Sequence, residues 1–177
     1  MTWIRTVGEE EAQGEVKEVY EAIKAAWGRL SPAFSIMSLS PGYLRAMWEL
    51  HSTIMGKGRL SRVEKETIAL SVSAINGCGY CIWAHSNRLR ALGMDSGDVD
   101  QLMRDPSQAT MEGRLGAIVR WAVRATKNAA GMSPEELEEL RRRGLDDEAV
   151  LEVAAIVGHF NHLNRVLDAL GVEAPSS

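Results

Sequence analysis

Helical spacing of apolar residues, repeated between helix start and stop signals, is the feature that most constrains how this chain folds. Across residues 9–27, apolar side chains recur every three or four positions, which is typical of one face of an α-helix: Val16, Val19, Tyr20, Ile23 and Trp27. A capping serine precedes a proline three times, a pattern typical of a helix start, at Ser31-Pro32, Ser40-Pro41 and Ser133-Pro134. No stretch alternates convincingly enough to predict a strand. We therefore predict an all-α helical bundle of about seven to nine helices.

The length and charge of the chain limit its function classes. Its 177 residues suit one domain over residues 1–177, and no linker, repeat or low-complexity segment divides it. The formal net charge is −4, and the one basic run, Arg141–Arg143, follows an acidic stretch, as expected at a helix end. The first residues lack the basic start and apolar core of a signal peptide, and no apolar run is long enough for a bilayer. These features predict a soluble cytoplasmic protein that binds neither nucleic acid nor a membrane.

Two consecutive helices are predicted over about residues 60–93. Ser61 and Glu64 form a capping-box sequence at the start of the first helix, and Asn76-Gly77 is a stop signal at its end. The second helix should begin around Cys78 to Cys81 and run to Leu92, before Gly93. Because the turn between them is tight, we expect the two helices to pack against each other.

The chain contains two cysteines, Cys78 and Cys81, three positions apart in the second helix. A secreted disulfide scaffold needs more cysteines, so the pair favours redox or metal chemistry. Side chains at this spacing share a helix face and can close a disulfide. The positive helix N-terminus favours thiolate, most strongly at the earlier Cys78. His85 follows Cys81 by one turn and can accept the thiol proton.

Glu66, twelve residues before Cys78, is the acidic candidate for this site. A carboxylate on the preceding helix could orient His85 or take its proton. Glu64 already has a role in the capping box, which leaves Glu66 as the better candidate. A solvated surface acid is an equally good interpretation of Glu66 from its spacing.

The motif formed by Glu66, Cys78-Gly79-Tyr80-Cys81 and His85 resembles that of the AhpD-like alkylhydroperoxidases of the carboxymuconolactone decarboxylase superfamily. The length and the segment 161–165 resemble its peroxidase-related branch. The resemblance implies an AhpD-like helical bundle that assembles into dimers, trimers or hexamers. It also implies that Cys81 is the peroxidatic cysteine, that Cys78 resolves its sulfenic acid as a disulfide, and that Glu66 and His85 form the proton relay.

Tyr80 is the point where this sequence departs from the motif. The best-known members of the family have histidine at this position. A tyrosine can donate a hydrogen bond but is a poor base at neutral pH. We therefore predict that Tyr80 contacts substrate rather than joining a relay of two histidines.

These residues predict a thiol-redox enzyme, and the resemblance implies a thiol-dependent peroxidase that acts on hydrogen peroxide or organic hydroperoxides without a cofactor or metal. The resemblance implies a dithiol or lipoyl-type reductant, free or protein-bound. One alternative is a carboxymuconolactone decarboxylase-like enzyme, whose chemistry does not need two cysteines. Another is a non-catalytic redox sensor or a metal-binding module, in which His159 and His162 would complete a zinc site with the cysteines.

The remaining histidines have open interpretations. His159 either lines the active-site cleft and contacts substrate, or lies at the boundary of a packed helix. His51 is predicted to be a surface or interface residue of an amphipathic helix.

Overall fold

The computed structural model describes residues 2–175, which form nine α-helices, two short 3₁₀ segments and no strand. This confirms the all-α prediction. The α-helices are α1 (Gly14–Trp27), α2 (Pro32–Ser35), α3 (Pro41–Met55), α4 (Arg62–Asn76), α5 (Gly79–Ala91), α6 (Ser96–Arg104), α7 (Gly113–Asn128), α8 (Pro134–Arg142) and α9 (Asp147–Ala169). The 3₁₀ segments are Pro106–Gln108 and Ala129–Gly131.

Helix α4 forms the centre of the bundle and packs against α5, α7 and α9. Every residue of α4 from Lys65 to Ser73 is buried. The larger apolar cluster lies between α4, α9 and the N-terminal helices, and includes Ile68 and Phe160. A second apolar cluster lies between α4, α6 and α7, and includes Leu70 and Leu102. A helix surrounded on all sides holds its polar side chains in the interior, where they need partners.

Lys65 shows how such a partner set positions the helices. Its side chain is 1% exposed, and its ammonium group donates hydrogen bonds to the carbonyl oxygens of Ile54 (2.7 Å) and Gly56 (2.9 Å). It also lies 3.2 Å from the Glu152 carboxylate. Lys65 therefore links α4 to the end of α3 and to α9.

The turn between α4 and α5 follows the local signals in the sequence. The capping box is formed: the Ser61 amide donates to Glu64 (2.7 Å) and the Glu64 amide donates to the Ser61 hydroxyl (3.2 Å). At the other end of α4, Gly77 has φ of 75°, a left-handed conformation in which glycine is favoured. The Cys78 amide then donates to the Ser73 carbonyl oxygen at 3.0 Å. These bonds fix Cys78 at the start of α5.

The first helix begins later than the apolar pattern predicts. It starts at Gly14, with Gln13 as an extended N-cap, rather than near Glu9. Gly14 has φ of 51°, so the chain turns there before the helix begins. The preceding segment is held instead by Tyr20, whose hydroxyl donates to the Val7 carbonyl oxygen at 2.8 Å.

The length and hydropathy of a helix decide whether it can span a membrane. Between residues 2 and 175, none is both long and apolar enough to cross a bilayer.

Candidate active site

The two cysteines lie at the N-terminus of α5, beneath the surface. Cys78 is the N-cap residue, in an extended conformation, and Cys81 lies in the first turn. Their exposed fractions are 0% and 2%, and both are free thiols. Neither sulfur is therefore directly exposed on the surface.

The pKa of the Cys78 thiol is raised well above its usual range. The adjacent Cys81 thiol is the main cause, followed by burial, with a further contribution from the Asp168 carboxylate. The prediction that the helix N-terminus favours thiolate most strongly at Cys78 is opposed here by the neighbouring sulfur and by the loss of solvent.

Glu66 and His85 meet in the interior between α4 and α5. The Oε2 atom of Glu66 lies 2.6 Å from Nδ1 of His85, and Glu66 is fully buried. Burial would raise the pKa of Glu66, but His85, Arg88 and Arg62 together hold it below its usual value. Glu66 is therefore a buried carboxylate, and the surface-acid interpretation is wrong.

The protonation state of His85 follows from the same contact. Burial lowers the pKa of His85, and the attraction of Glu66 offsets this only in part. The ring is therefore neutral near pH 7. The ionised Glu66 carboxylate can only accept a hydrogen bond. Nδ1 of His85 therefore carries a hydrogen and donates the hydrogen bond to Glu66. This leaves Nε2 of His85 with a free lone pair, able to accept a proton.

Two arginines complete the surroundings of Glu66. Nη2 of Arg62 lies 2.7 Å from Oε1 of Glu66, and Nη1 of Arg88 lies 3.9 Å from the same oxygen. Neither arginine is among the site residues predicted from the sequence. Arg62 precedes Glu66 by four positions, a spacing that signals an ion pair on a helix, whereas Arg88 carries no such signal.

A cavity of about 30 Å³ reaches Cys81 and His85. Its other lining residues include Ser31, Tyr80 and Phe160. The Tyr80 and Ser31 hydroxyls are hydrogen bonded at 2.9 Å. A volume of this size holds one or two water-sized groups, so a small reactive group can sit beside the Cys81 sulfur.

A larger concave surface, here called the vestibule, has a volume of about 470 Å³. It shares five lining residues with the cavity: Trp27, Ser31, Tyr80, Ala84 and Arg88. The vestibule therefore lies directly over the cavity, and the hydrogen-bonded pair Tyr80 and Ser31 belongs to the boundary between them.

Of the two other buried histidines, His51 lines the cavity and His159 is not among its lining residues. Nδ1 of His51 is hydrogen bonded to Nε2 of His159 at 3.1 Å, and Nδ1 of His159 has no hydrogen-bond partner. Burial, reinforced by nearby histidines, lowers the pKa of His159 to about 4. His51 is 4% exposed, so its prediction as a surface or interface residue is wrong. Contact of His159 with substrate stays a prediction.

The histidines and cysteines do not come together as the zinc alternative requires. Within the described part of the chain, 2–175, no three His, Cys, Asp or Glu side chains form a group that could hold a metal ion. His162, proposed as a ligand beside His159, is instead hydrogen bonded to the Tyr43 hydroxyl at 2.7 Å.

Comparison with known proteins assigns the family. The carboxymuconolactone decarboxylase family model matches residues 41–128, which include both cysteines, Glu66 and His85. The alkyl hydroperoxide reductase AhpD of Hyphomonas neptunium is 30% identical over 137 residues, covering 71% of this chain and 68% of that protein. The chain belongs to the AhpD/carboxymuconolactone decarboxylase superfamily.

Other relatives show over how much of each chain the similarity extends. An alkyl hydroperoxide reductase of Mycobacterium tuberculosis is 33% identical over 90 residues, which are 51% of this chain. The match spans only 26% of that relative's length. A peroxidase-related protein of Ralstonia eutropha with an AhpD core superposes with a TM-score of 0.89 at 24% identity, covering 99% of this chain and 93% of that one. This structural likeness confirms the AhpD-like fold.

Proposed function

We propose that this chain is a thiol-dependent peroxidase that reduces hydrogen peroxide or organic hydroperoxides through Cys78 and Cys81. The observation that carries the proposal is the cavity of about 30 Å³, which Cys81 and His85 both line. The Glu66 carboxylate lies behind His85, 2.6 Å from its Nδ1. Relatives named alkyl hydroperoxide reductase support the same reaction class.

In the first step, Cys81 reduces the peroxide. Nε2 of His85 takes the thiol proton, and the thiolate attacks the distal peroxide oxygen. A sulfur–oxygen bond forms and the oxygen–oxygen bond breaks. The departing alkoxide takes the proton back from His85 and leaves as an alcohol, or as water from hydrogen peroxide. Cys81 becomes a sulfenic acid.

In the second step, Cys78 resolves the sulfenic acid. Its sulfur attacks the Cys81 sulfur, a disulfide forms, and hydroxide leaves with the Cys78 proton as water. The raised pKa of Cys78 keeps it a thiol until this step. Cys78 is not among the described residues that line the cavity, which favours Cys81 as the cysteine that meets peroxide first.

A second substrate must return the disulfide to two thiols. We propose a dithiol of lipoyl type, free or protein-bound, which would leave as a disulfide while both cysteines regain their protons. The resemblance to the AhpD-like enzymes supports this donor class. A cytoplasmic location, where thiols stay reduced, is part of the same proposal.

Assembly into a dimer, trimer or hexamer is also proposed. Leu50 on α3 and Leu151 on α9 support it, because their exposed fractions are 45% and 68%. Analytical ultracentrifugation tests this directly, and a monomer at micromolar concentration contradicts it.

The central experiment separates the roles of the cysteines. We expect steady peroxide consumption with a dithiol reductant in the wild-type protein and its loss in both Cys78→Ser and Cys81→Ser. Trapping with a sulfenic-acid reagent should label Cys78→Ser, in which the Cys81 sulfenic acid cannot be resolved. Labelling confined to Cys81→Ser would reverse the assignment.

The same assay separates the alternatives. A redox sensor would react once with peroxide and show no steady turnover. Turnover that survives both substitutions would rule out the thiol mechanism and favour chemistry that needs neither cysteine.

A further inference from the structure

The vestibule carries a pattern of aromatic and cationic side chains that peroxide reduction itself does not require. The guanidinium of Arg29 lies 5.8 Å from the centre of the Trp83 ring, and that of Arg88 lies 4.9 Å from the centre of the Trp27 ring. Both pairs line the vestibule. Stacking on an aromatic face holds each guanidinium in place while leaving its N–H groups able to donate.

The charge of the vestibule is positive. Among its described lining residues, two are arginines and none is acidic. Glu66 is the nearby carboxylate, but Arg62 lies 2.7 Å from its Oε1 and Arg88 only 3.9 Å away. The other oxygen of Glu66, Oε2, accepts a hydrogen bond from His85. Since His85 is neutral, one carboxylate faces two guanidiniums, and a positive charge remains at Arg88 in addition to that of Arg29.

The size of the vestibule also exceeds what hydrogen peroxide needs. Its volume of about 470 Å³ falls within the range of small-molecule sites, whereas the cavity beside Cys81 measures about 30 Å³. The two are stacked and share lining residues. A molecule with a small reactive end and a larger body would occupy both at once.

We propose that the vestibule selects organic hydroperoxides that carry a carboxylate on a flat apolar body. The carboxylate would bind between Arg29 and Arg88, because guanidinium groups pair with carboxylates through charge-assisted hydrogen bonds. The apolar body would rest against Trp27 and Trp83, and the hydroperoxide would extend past Tyr80 towards Cys81. This inference rests on the proposed function for its reacting group.

The chemical step is the one already described. The distal oxygen of the hydroperoxide is transferred to Cys81, and the product alcohol keeps its carboxylate. The oxygen then leaves as water when Cys78 closes the disulfide, and a dithiol reduces the disulfide.

The test compares two peroxides that differ by one charge: cumene hydroperoxide and its para-carboxylate derivative. In the wild-type protein, we expect the carboxylate to give the higher kcat/KM. In Arg29→Gln, we expect the ratio of the two kcat/KM values to fall about tenfold, the effect of losing one charge-assisted hydrogen bond. Arg104→Gln is the control, because Arg104 is an exposed arginine on α6 outside the vestibule and its loss changes the net charge equally.

A binding measurement makes the inference independent of turnover. Calorimetry with para-isopropylbenzoate, compared with para-isopropylbenzyl alcohol, should detect binding of the acid and its weakening in Arg29→Gln but not in Arg104→Gln. Circular dichroism confirms that each variant is folded.

The outcomes separate the two proposals. If both peroxides are reduced with the same ratio in all three proteins and the acid binds no better than the alcohol, the inference is overturned and the proposed function stands. If neither peroxide is reduced but binding of the acid depends on Arg29, the peroxidase proposal fails and the carboxylate site stands.

Discussion

The Oε2 atom of Glu66 and the Nδ1 atom of His85 are joined at 2.6 Å in the interior of the bundle. This contact connects the two central helices of the site and sets the tautomer of the imidazole. Removing this hydrogen bond should therefore change proton transfer at His85 as well as the stability of the fold.

Glu66→Gln should lower kcat/KM for peroxide by about tenfold to a hundredfold. Glutamine keeps the size of the side chain but loses the charge that orients His85 and stabilises its protonated form. Glu64→Gln is the matched control, since Glu64 caps the same helix and pairs with Arg114 away from the cavity. Equal kcat/KM in Glu66→Gln and wild type would show that Glu66 has no part in proton transfer.

His159 should make the fold sensitive to acid. Its pKa is lowered to about 4 in the folded protein, against an unfolded value of about 6.5. The unfolded chain therefore binds more protons below pH 6.5, and this group alone removes about 3 kcal/mol of the free energy of unfolding between pH 6.5 and pH 4.

Urea unfolding at a series of pH values measures this effect. In His159→Gln, the free energy of unfolding should fall less between pH 6.5 and pH 4 than in the wild-type protein, whatever the stability of the variant at pH 7. His162→Gln, which alters an exposed histidine that contributes less than burial to the shift, should leave most of the decline in place. An unchanged decline in His159→Gln would show that the ring titrates normally.

Cys78 should ionise at a higher pH than an ordinary cysteine thiol, because its pKa is raised chiefly by Cys81 and by burial. Removing the neighbouring sulfur in Cys81→Ala should lower the pH at which Cys78 ionises. The ultraviolet absorbance of the thiolate measures both titrations. A Cys78 titration that is the same with and without Cys81 would contradict the pairing.

The hydroxyls of Tyr80 and Ser31, 2.9 Å apart, should contribute jointly to stability. Tyr80→Phe and Ser31→Ala should each lower the free energy of unfolding by about 1 kcal/mol. The double variant should lose less than the sum, because the same hydrogen bond is removed in both. Strict additivity in chemical denaturation would mean that the two hydroxyls are not coupled.

Local signals in the sequence predicted the helix pair of the candidate site well. The capping box at Ser61, the glycine turn at Gly77 and the helical spacing of Cys81 and His85 all act within a few residues, so they can be identified without the structure. Placing Glu66 near His85 required only that two consecutive helices pack together.

The rest of the site depends on contacts between distant parts of the chain. Tyr80 meets Ser31 across 49 positions, and His51 meets His159 across 108. No periodicity or cap signals such pairs. The predicted start of α1 near Glu9 was wrong because the apolar pattern begins only at Val16, after the backbone turn at Gly14.

The residues around the thiols and the vestibule come from two separate parts of the chain. Glu66, Cys78, Cys81 and His85 all lie on α4 and α5, whereas Trp27, Arg29 and Ser31 come from the end of α1 and the residues after it. Changes to the short segment 27–31 would therefore reach the proposed thiol site through the hydrogen bond between Ser31 and Tyr80 and the packing of Trp27 against Arg88. A loop grafted here to alter substrate preference would have to keep those two contacts.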